Sequence, residues 1–84
     1  MKKILIYTTK ICPYCVRAKS LLDRKGLKYE EIDATDPNIR NEMLQKSGGM
    51  RTVPQIFIGD QHIGGSDDLH KIEQEGKLDK IIQS

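Results

Sequence analysis

Four apolar residues, Ile4-Leu5-Ile6-Tyr7, run without a polar break, and Cys12-Pro13-Tyr14-Cys15 follows five residues later. A strand that is apolar at consecutive positions has to be covered on both faces. A chain of 84 residues containing such a strand therefore folds as a sheet with helices packed on it. The residues after the second cysteine, Arg17-Ala18-Lys19-Ser20-Leu21-Leu22-Asp23-Arg24-Lys25, read as a helix. Both cysteines of the chain thus fall where a strand ends and a helix begins.

Residues three apart on a helix are near neighbours, and a disulfide needs Cα atoms about 4.4–6.8 Å apart. Cys12 and Cys15 meet that condition with little backbone movement. The first cysteine faces the unpaired N–H groups and the positive end of the helix dipole. That setting favours a thiolate, and CxxC thiols ionise at about 3.5–7.5. Pro13 suits the first helical turn, where its missing N–H costs nothing. Lys10 adds a positive charge two residues upstream of Cys12. Cys12 is therefore read as the nucleophile and Cys15, one turn further in, as the less exposed resolving thiol.

Two other readings of the pair carry less weight. CxxC is half of a zinc site, with His62 and His70 as further ligands. The seven residues between those histidines exceed the usual three to five, and no second CxxC exists. No metal is expected. A purely structural disulfide closing so small a loop constrains the unfolded chain little. Redox chemistry explains the pair better.

The length sets one small domain, residues 1–84, with no room for a second. Charged residues at 31% and hydrophobic ones at 37% fit a soluble globular protein. A net charge of +2 is too small to argue for nucleic acid or an anionic membrane. Met1-Lys2-Lys3 before Ile4 has the charge of a secretory signal, but the apolar run is too short and Thr8-Thr9-Lys10 ends it. A cytoplasmic, monomeric protein is the expectation. In that compartment a CxxC pair points to catalysis.

The first strand covers Lys3–Thr8, and the first helix runs from Pro13 to about Lys25, with Cys15, Ala18, Leu21 and Leu22 inward. Gly26 stops it. A second strand lies within Leu27–Asp33, with Tyr29 and Ile32 buried, which completes a parallel, right-handed βαβ unit. Asp36-Pro37 reads as an N-cap and first helical position. The second helix then spans Pro37 to about Lys46, with Ile39, Met43 and Leu44 inward. Gln55–Ile58 and Gln61–Gly64 form a hairpin about Gly59-Asp60. Ser66 caps a third helix from Asp67 to Glu75, and Leu78, Ile81 and Ile82 form an amphipathic tail. The order β-α-β-α-β-β-α describes a four-stranded mixed α/β sheet flanked by helices. CxxC beside a βαβ unit is a thioredoxin-like pattern.

Three motifs in this order and spacing resemble the glutaredoxins, in their short bacterial dithiol form. They are Cys12-Pro13-Tyr14-Cys15, Thr52-Val53-Pro54 and Gly64-Gly65-Ser66-Asp67-Asp68-Leu69. The resemblance spans essentially the whole chain and implies a thioredoxin fold. It also implies a cis Val53–Pro54 bond, although X–Pro bonds are trans by default. Such a bond leaves the Val53 backbone beside Cys12, free to pair with a bound cysteine-containing peptide.

The implied co-substrate is glutathione. Its γ-glutamyl carboxylate meets the N–H groups opening the third helix, at Gly65 and Ser66, and its ammonium meets Asp67. Without the resemblance, this stretch reads as an ordinary capped helix. Thr52, Val53 and Pro54 supply the middle of the site, and Tyr14 packs beside it. Lys10 is placed for the glycine carboxylate; Arg40, Arg51 and Gln55 are weaker candidates, with Arg40 read mainly as a solvated helix residue. His62 and His70 read as surface or satisfied histidines.

The activity implied is reduction of protein disulfides and glutathione mixed disulfides through Cys12 and Cys15. Electrons come from glutathione and, through it, glutathione reductase; ribonucleotide reductase is an implied client. Two rivals remain at this point. A thioredoxin-like reductase fed by a flavoprotein resembles this fold but lacks the glutathione site. An iron–sulfur carrier bridges two chains through the first cysteine, a role that Pro13 disfavours.

Overall fold

The computed structural model describes residues 2–83. The elements are β1 (Ile4–Thr8), α1 (Pro13–Arg24), β2 (Glu30–Asp33), α2 (Pro37–Lys46), β3 (Gln55–Ile58), β4 (Gln61–Gly64), α3 (Ser66–Gln74) and α4 (Leu78–Gln83). The four strands form one mixed sheet in the order β2-β1-β3-β4. β1 pairs parallel with β2, in register Tyr7 with Ile32, and antiparallel with β3, in register Tyr7 with Gln55. β3 and β4 are antiparallel, with an irregularity between Ile56 and Phe57. This is the expected thioredoxin-like α/β order, and the residues read as a tail form the short helix α4.

The alternation of β1 explains its unbroken apolar run. Ile4 and Ile6 point to one face, where they pack with Ala18, Leu21 and Leu22 of α1, Leu69 of α3 and Leu78 and Ile82 of α4. Tyr7 points to the other face and packs with Ala34, Met43 of α2 and Phe57. Each such side chain contributes about 1.5–3 kcal/mol by leaving water, so β1 is anchored from both sides. β2 is an edge strand and is mostly exposed. Tyr29 and Ile32, expected to be buried there, are only half-buried at the margins of the two cores, because β2 pairs with a strand on one side alone.

Local signals set the ends of the helices. Asp36 caps α2, its carboxylate accepting the Asn38 N–H at 2.8 Å. α1 ends at Arg24, and two residues on Gly26, with a φ of +69°, reverses the chain so that the Leu27 N–H reaches the Leu22 carbonyl at 3.0 Å. Ile39 and Leu44, expected inward on α2, are half-buried, and Met43 alone of that helix is fully buried. Lys25 ties α1 to α3 and α4 through Glu73 at 2.9 Å and Asp79 at 3.3 Å.

Candidate active site

The sheet delivers the redox pair through β1. Thr8, the last residue of that strand, donates its hydroxyl to Glu31 at 2.8 Å, and Lys19 of α1 binds the same carboxylate at 2.9 Å. Lys19 first, and Thr8 second, hold the Glu31 carboxyl below the usual range. The start of the Thr9–Cys12 loop is thereby tied to both its neighbours. Cys12 then occupies the N-cap of α1 in an extended conformation, with Pro13 opening the helix.

Cys12 and Cys15 form a disulfide with Cα atoms 5.2 Å apart. The Cys15 backbone N–H donates to the Cys12 sulfur at 3.1 Å, so one otherwise unpaired helix N–H points at that atom. Cys15 is 1% exposed against 8% for Cys12, which makes Cys12 the sulfur nearer the surface. The Val53–Pro54 bond is cis. The Val53 carbonyl oxygen lies 3.6 Å from the Cys12 sulfur, so residues distant in the chain meet at the disulfide.

A cleft of about 270 Å³ opens between this strap and the start of α3. It brings together seven of the eight residues implied as a glutathione site: Tyr14, Thr52, Val53, Pro54, Gly65, Ser66 and Asp67. Lys10 is not among its lining residues. It lies exposed on the loop between β1 and α1 and acts on Asp33, whose carboxyl is held low first by hydrogen bonds from Thr35 and to a lesser degree by Lys10. A larger groove of about 530 Å³, reached by Lys3, Leu27 and Tyr29, contains none of the candidate residues.

The entry to α3 differs from the sequence reading. Gly65, not Ser66, is the N-cap, and the helix begins one residue earlier than expected. The physical cause is Asp68, whose carboxylate reaches back to accept the Gly65 N–H at 3.0 Å. Ser66 is buried at the first helical position, with its hydroxyl near His70 Nδ1. Asp68 is thus committed to the helix. The exposed Asp67 carboxylate, by contrast, has no hydrogen bond or ion pair among the described residues. Gly64 has a φ of +120°, and a Cβ there would strike the Asp68 carboxylate.

Two further residues have roles that the linear sequence hides. Gln55 is fully buried, and its amide donates to the Thr52 carbonyl at 2.9 Å and the Thr52 hydroxyl at 3.2 Å. Its oxygen meets His62 Nε2 at 2.7 Å, which leaves nothing free for a glycine carboxylate. Arg40 is half-buried rather than solvated and donates to the Ala34 carbonyl at 3.2 Å. A longer contact, at 3.5 Å, reaches the Arg51 carbonyl. Met50, at 45% exposure, lines the cleft without any motif having marked it; its only signal was an apolar residue after Gly48-Gly49.

The two histidines are satisfied, His62 by Gln55 and His70 through Nδ1 against the Ser66 carbonyl at 2.8 Å. Among the described residues, no three His, Cys, Asp or Glu side chains gather as a metal site.

Comparison with known proteins agrees with this geometry. The glutaredoxin family model matches residues 4–63. A glutaredoxin of Pseudomonas aeruginosa is 51% identical over the whole of both chains. The solution structure of a Brucella melitensis glutaredoxin superposes with a TM-score of 0.86 at 54% identity, covering 98% of this chain and 89% of that one. A buckwheat glutaredoxin–glutathione complex superposes equally well, with a TM-score of 0.86 at 34% identity, covering 98% of this chain and 77% of that one. A buried redox pair at a helix N-cap, a cis-proline strap against it and similarity along the whole chain place this protein in the glutaredoxin family, whose chemistry is thiol–disulfide exchange.

Proposed function

We propose that the protein is a glutathione-dependent thiol–disulfide oxidoreductase, acting on glutathione mixed disulfides and on protein disulfides. The observation that carries this reading is the cleft itself. It runs from Tyr14, between the two cysteines, past Thr52–Pro54 to the exposed Asp67 carboxylate and the first N–H groups of α3. A tripeptide whose far end bears a carboxylate and an ammonium on one carbon fits donors and acceptor in that arrangement. The buckwheat relative solved with glutathione supports the same reading.

In the monothiol route the Cys12 thiolate attacks the glutathione sulfur of the mixed disulfide. A Cys12–glutathione disulfide forms, and the target leaves as a thiolate, which takes up a proton. A second glutathione thiolate then attacks the glutathione sulfur of that adduct, releasing oxidised glutathione and restoring Cys12. In the dithiol route Cys12 first joins one sulfur of a protein disulfide. Cys15, deprotonated, attacks the Cys12 sulfur, frees the reduced protein and leaves Cys12–Cys15 oxidised; two glutathiones reduce it. Glutaredoxins poise near about −200 to −230 mV, within reach of a cytosolic glutathione pool at about −220 to −260 mV. A cytoplasmic setting, a glutathione reductase to recycle the pool and disulfide-bearing clients such as ribonucleotide reductase complete the proposal.

The test follows NADPH oxidation with glutathione, glutathione reductase and a small mixed disulfide. Turnover that requires both glutathione and Cys12 supports the reading. Absence of turnover, with reduction by a flavoprotein thioredoxin reductase instead, overturns it in favour of a thioredoxin-like reductase.

A further inference from the structure

Gln55 is a polar side chain buried completely on the first residue of β3, opposite Tyr7 of β1 in the sheet register and in contact with the half-buried ring of His62. A buried amide is costly unless its hydrogen bonds are made, and an apolar residue serves a sheet interior equally well. What distinguishes glutamine here is where its bonds go. Its nitrogen holds both the carbonyl and the hydroxyl of Thr52, and its oxygen meets His62 Nε2.

The polarity of this chain follows from its end point. The Thr52 carbonyl only accepts, so the Gln55 nitrogen must face it and the Gln55 oxygen must face His62. That oxygen only accepts, so His62 Nε2 carries a proton. The ring is held in place by a tilted contact with Phe57, with centroids 4.9 Å apart. From β4 through β3, an N–H, an amide and a backbone carbonyl thus line up and stop at Thr52. Val53, the next residue, sets its carbonyl 3.6 Å from the Cys12 sulfur. Arg40 reaches the Arg51 carbonyl, just before the strap, only at 3.5 Å.

We propose that Gln55 and His62 are positioning residues: the hydrogen-bonded chain His62–Gln55–Thr52 fixes the Val53 backbone against the redox pair, so that a bound thiol compound meets it in one place. This rests on the reading that disulfide substrates dock along the Val53 backbone, and it extends to protein disulfides as well as glutathione mixed disulfides.

The experiment compares the full-length protein with His62→Phe, which keeps a ring against Phe57 but removes the N–H, and His62→Gln, which keeps a donor but removes the ring. Gln55→Leu is the third variant. Steady-state kinetics are read on a glutathione mixed disulfide and on a protein disulfide. Tm and the alkylation rate of reduced Cys12 serve as controls. The proposal expects His62→Phe and Gln55→Leu to lose about tenfold in kcat/KM, chiefly through KM, as for one lost oriented hydrogen bond. His62→Gln should stay within about twofold of the parent, and the Cys12 alkylation rate should not change.

Full activity in His62→Phe with loss in His62→Gln would assign the role to ring packing and overturn the proposal. Unchanged kinetics in both His62 variants, or a fall in alkylation rate matching the fall in kcat/KM, would overturn it too. If Gln55→Leu does not fold, the His62 pair carries the test alone. A parent protein that reduces the protein disulfide without using glutathione sinks the glutathione reading, while the variants still decide this one on the protein substrate.

Discussion

The Cys15 backbone N–H points at the Cys12 sulfur from 3.1 Å. In the reduced protein a hydrogen bond to that sulfur favours the thiolate over the thiol. Because the donor is backbone, it survives replacement of the Cys15 side chain. Cys12→Ser should therefore abolish turnover of any disulfide. Cys15→Ser should keep turnover of a glutathione mixed disulfide while losing reduction of protein disulfides. The NADPH-coupled assay run on both substrates checks this; loss of both activities in Cys15→Ser would contradict it.

Asp67 is exposed beside the cleft and has no partner among the described residues, whereas its neighbour Asp68 is bound to the Gly65 N–H. An exposed ion pair is worth only about 0.2–1 kcal/mol. Asp67→Ala should accordingly raise KM for a glutathione mixed disulfide by no more than about fivefold, with kcat held. The effect should shrink further in high salt. Unchanged KM at low salt would remove Asp67 from the site.

Gly64 meets two constraints at once, a φ of +120° and a carboxylate where its Cβ would stand. Gly64→Ala should push Asp68 off the Gly65 N–H and uncap α3. The combined strain and lost cap should cost about 1–3 kcal/mol. For a domain of this size each kcal/mol lowers Tm by about 4–8 °C. Thermal unfolding followed by circular dichroism reads the shift, and a Tm equal to the parent's would contradict the role given to Asp68.

Tyr7 is fully buried on β1 and donates to Glu42 of α2 at 2.8 Å. Burial, then the Glu42 carboxylate, push its phenol from 10.0 up to about 12. Because the folded value lies above the unfolded one, the stabilisation is complete below pH 10.0 and is lost as pH rises toward about 12. Tyrosinate absorbance should show one phenol ionising only toward about 12, a step that Tyr7→Phe removes. Tyr7→Phe should unfold less steeply over that alkaline range, at a neutral-pH cost of about 1 kcal/mol for the lost hydrogen bond. A stability–pH slope identical to the parent's above pH 10.0 would contradict the assignment.

The extent to which the chain could be read in advance follows from how local each signal is. Ile4–Tyr7, Asp36-Pro37 and Gly26 act through their own neighbours, and the elements they define appear where expected. The redox pair and the Thr52-Val53-Pro54 strap were legible as motifs. Ser66 and Gly65 exchange roles because Asp68 reaches back from the next turn, which spacing alone left open. In sequence Gln55 reads as a weaker candidate for the glycine carboxylate, and Arg40 mainly as a solvated helix residue. Their side chains turn inward to carbonyls on the strap and on the loop before α2, a direction that no periodicity encodes. Lys10 has the right charge near the right cysteine, yet it lies outside the cleft lining.

The most direct test of the account traps the first covalent step. Reduced Cys15→Ser protein is mixed with a glutathionylated peptide, quenched with acid and examined by mass spectrometry. The account predicts a single glutathionyl group on the Cys12 sulfur, release of the free peptide thiol and removal of the adduct by added glutathione. Attachment of the peptide to Cys12 instead, with glutathione as the leaving thiol, would contradict the claim that the cleft holds glutathione.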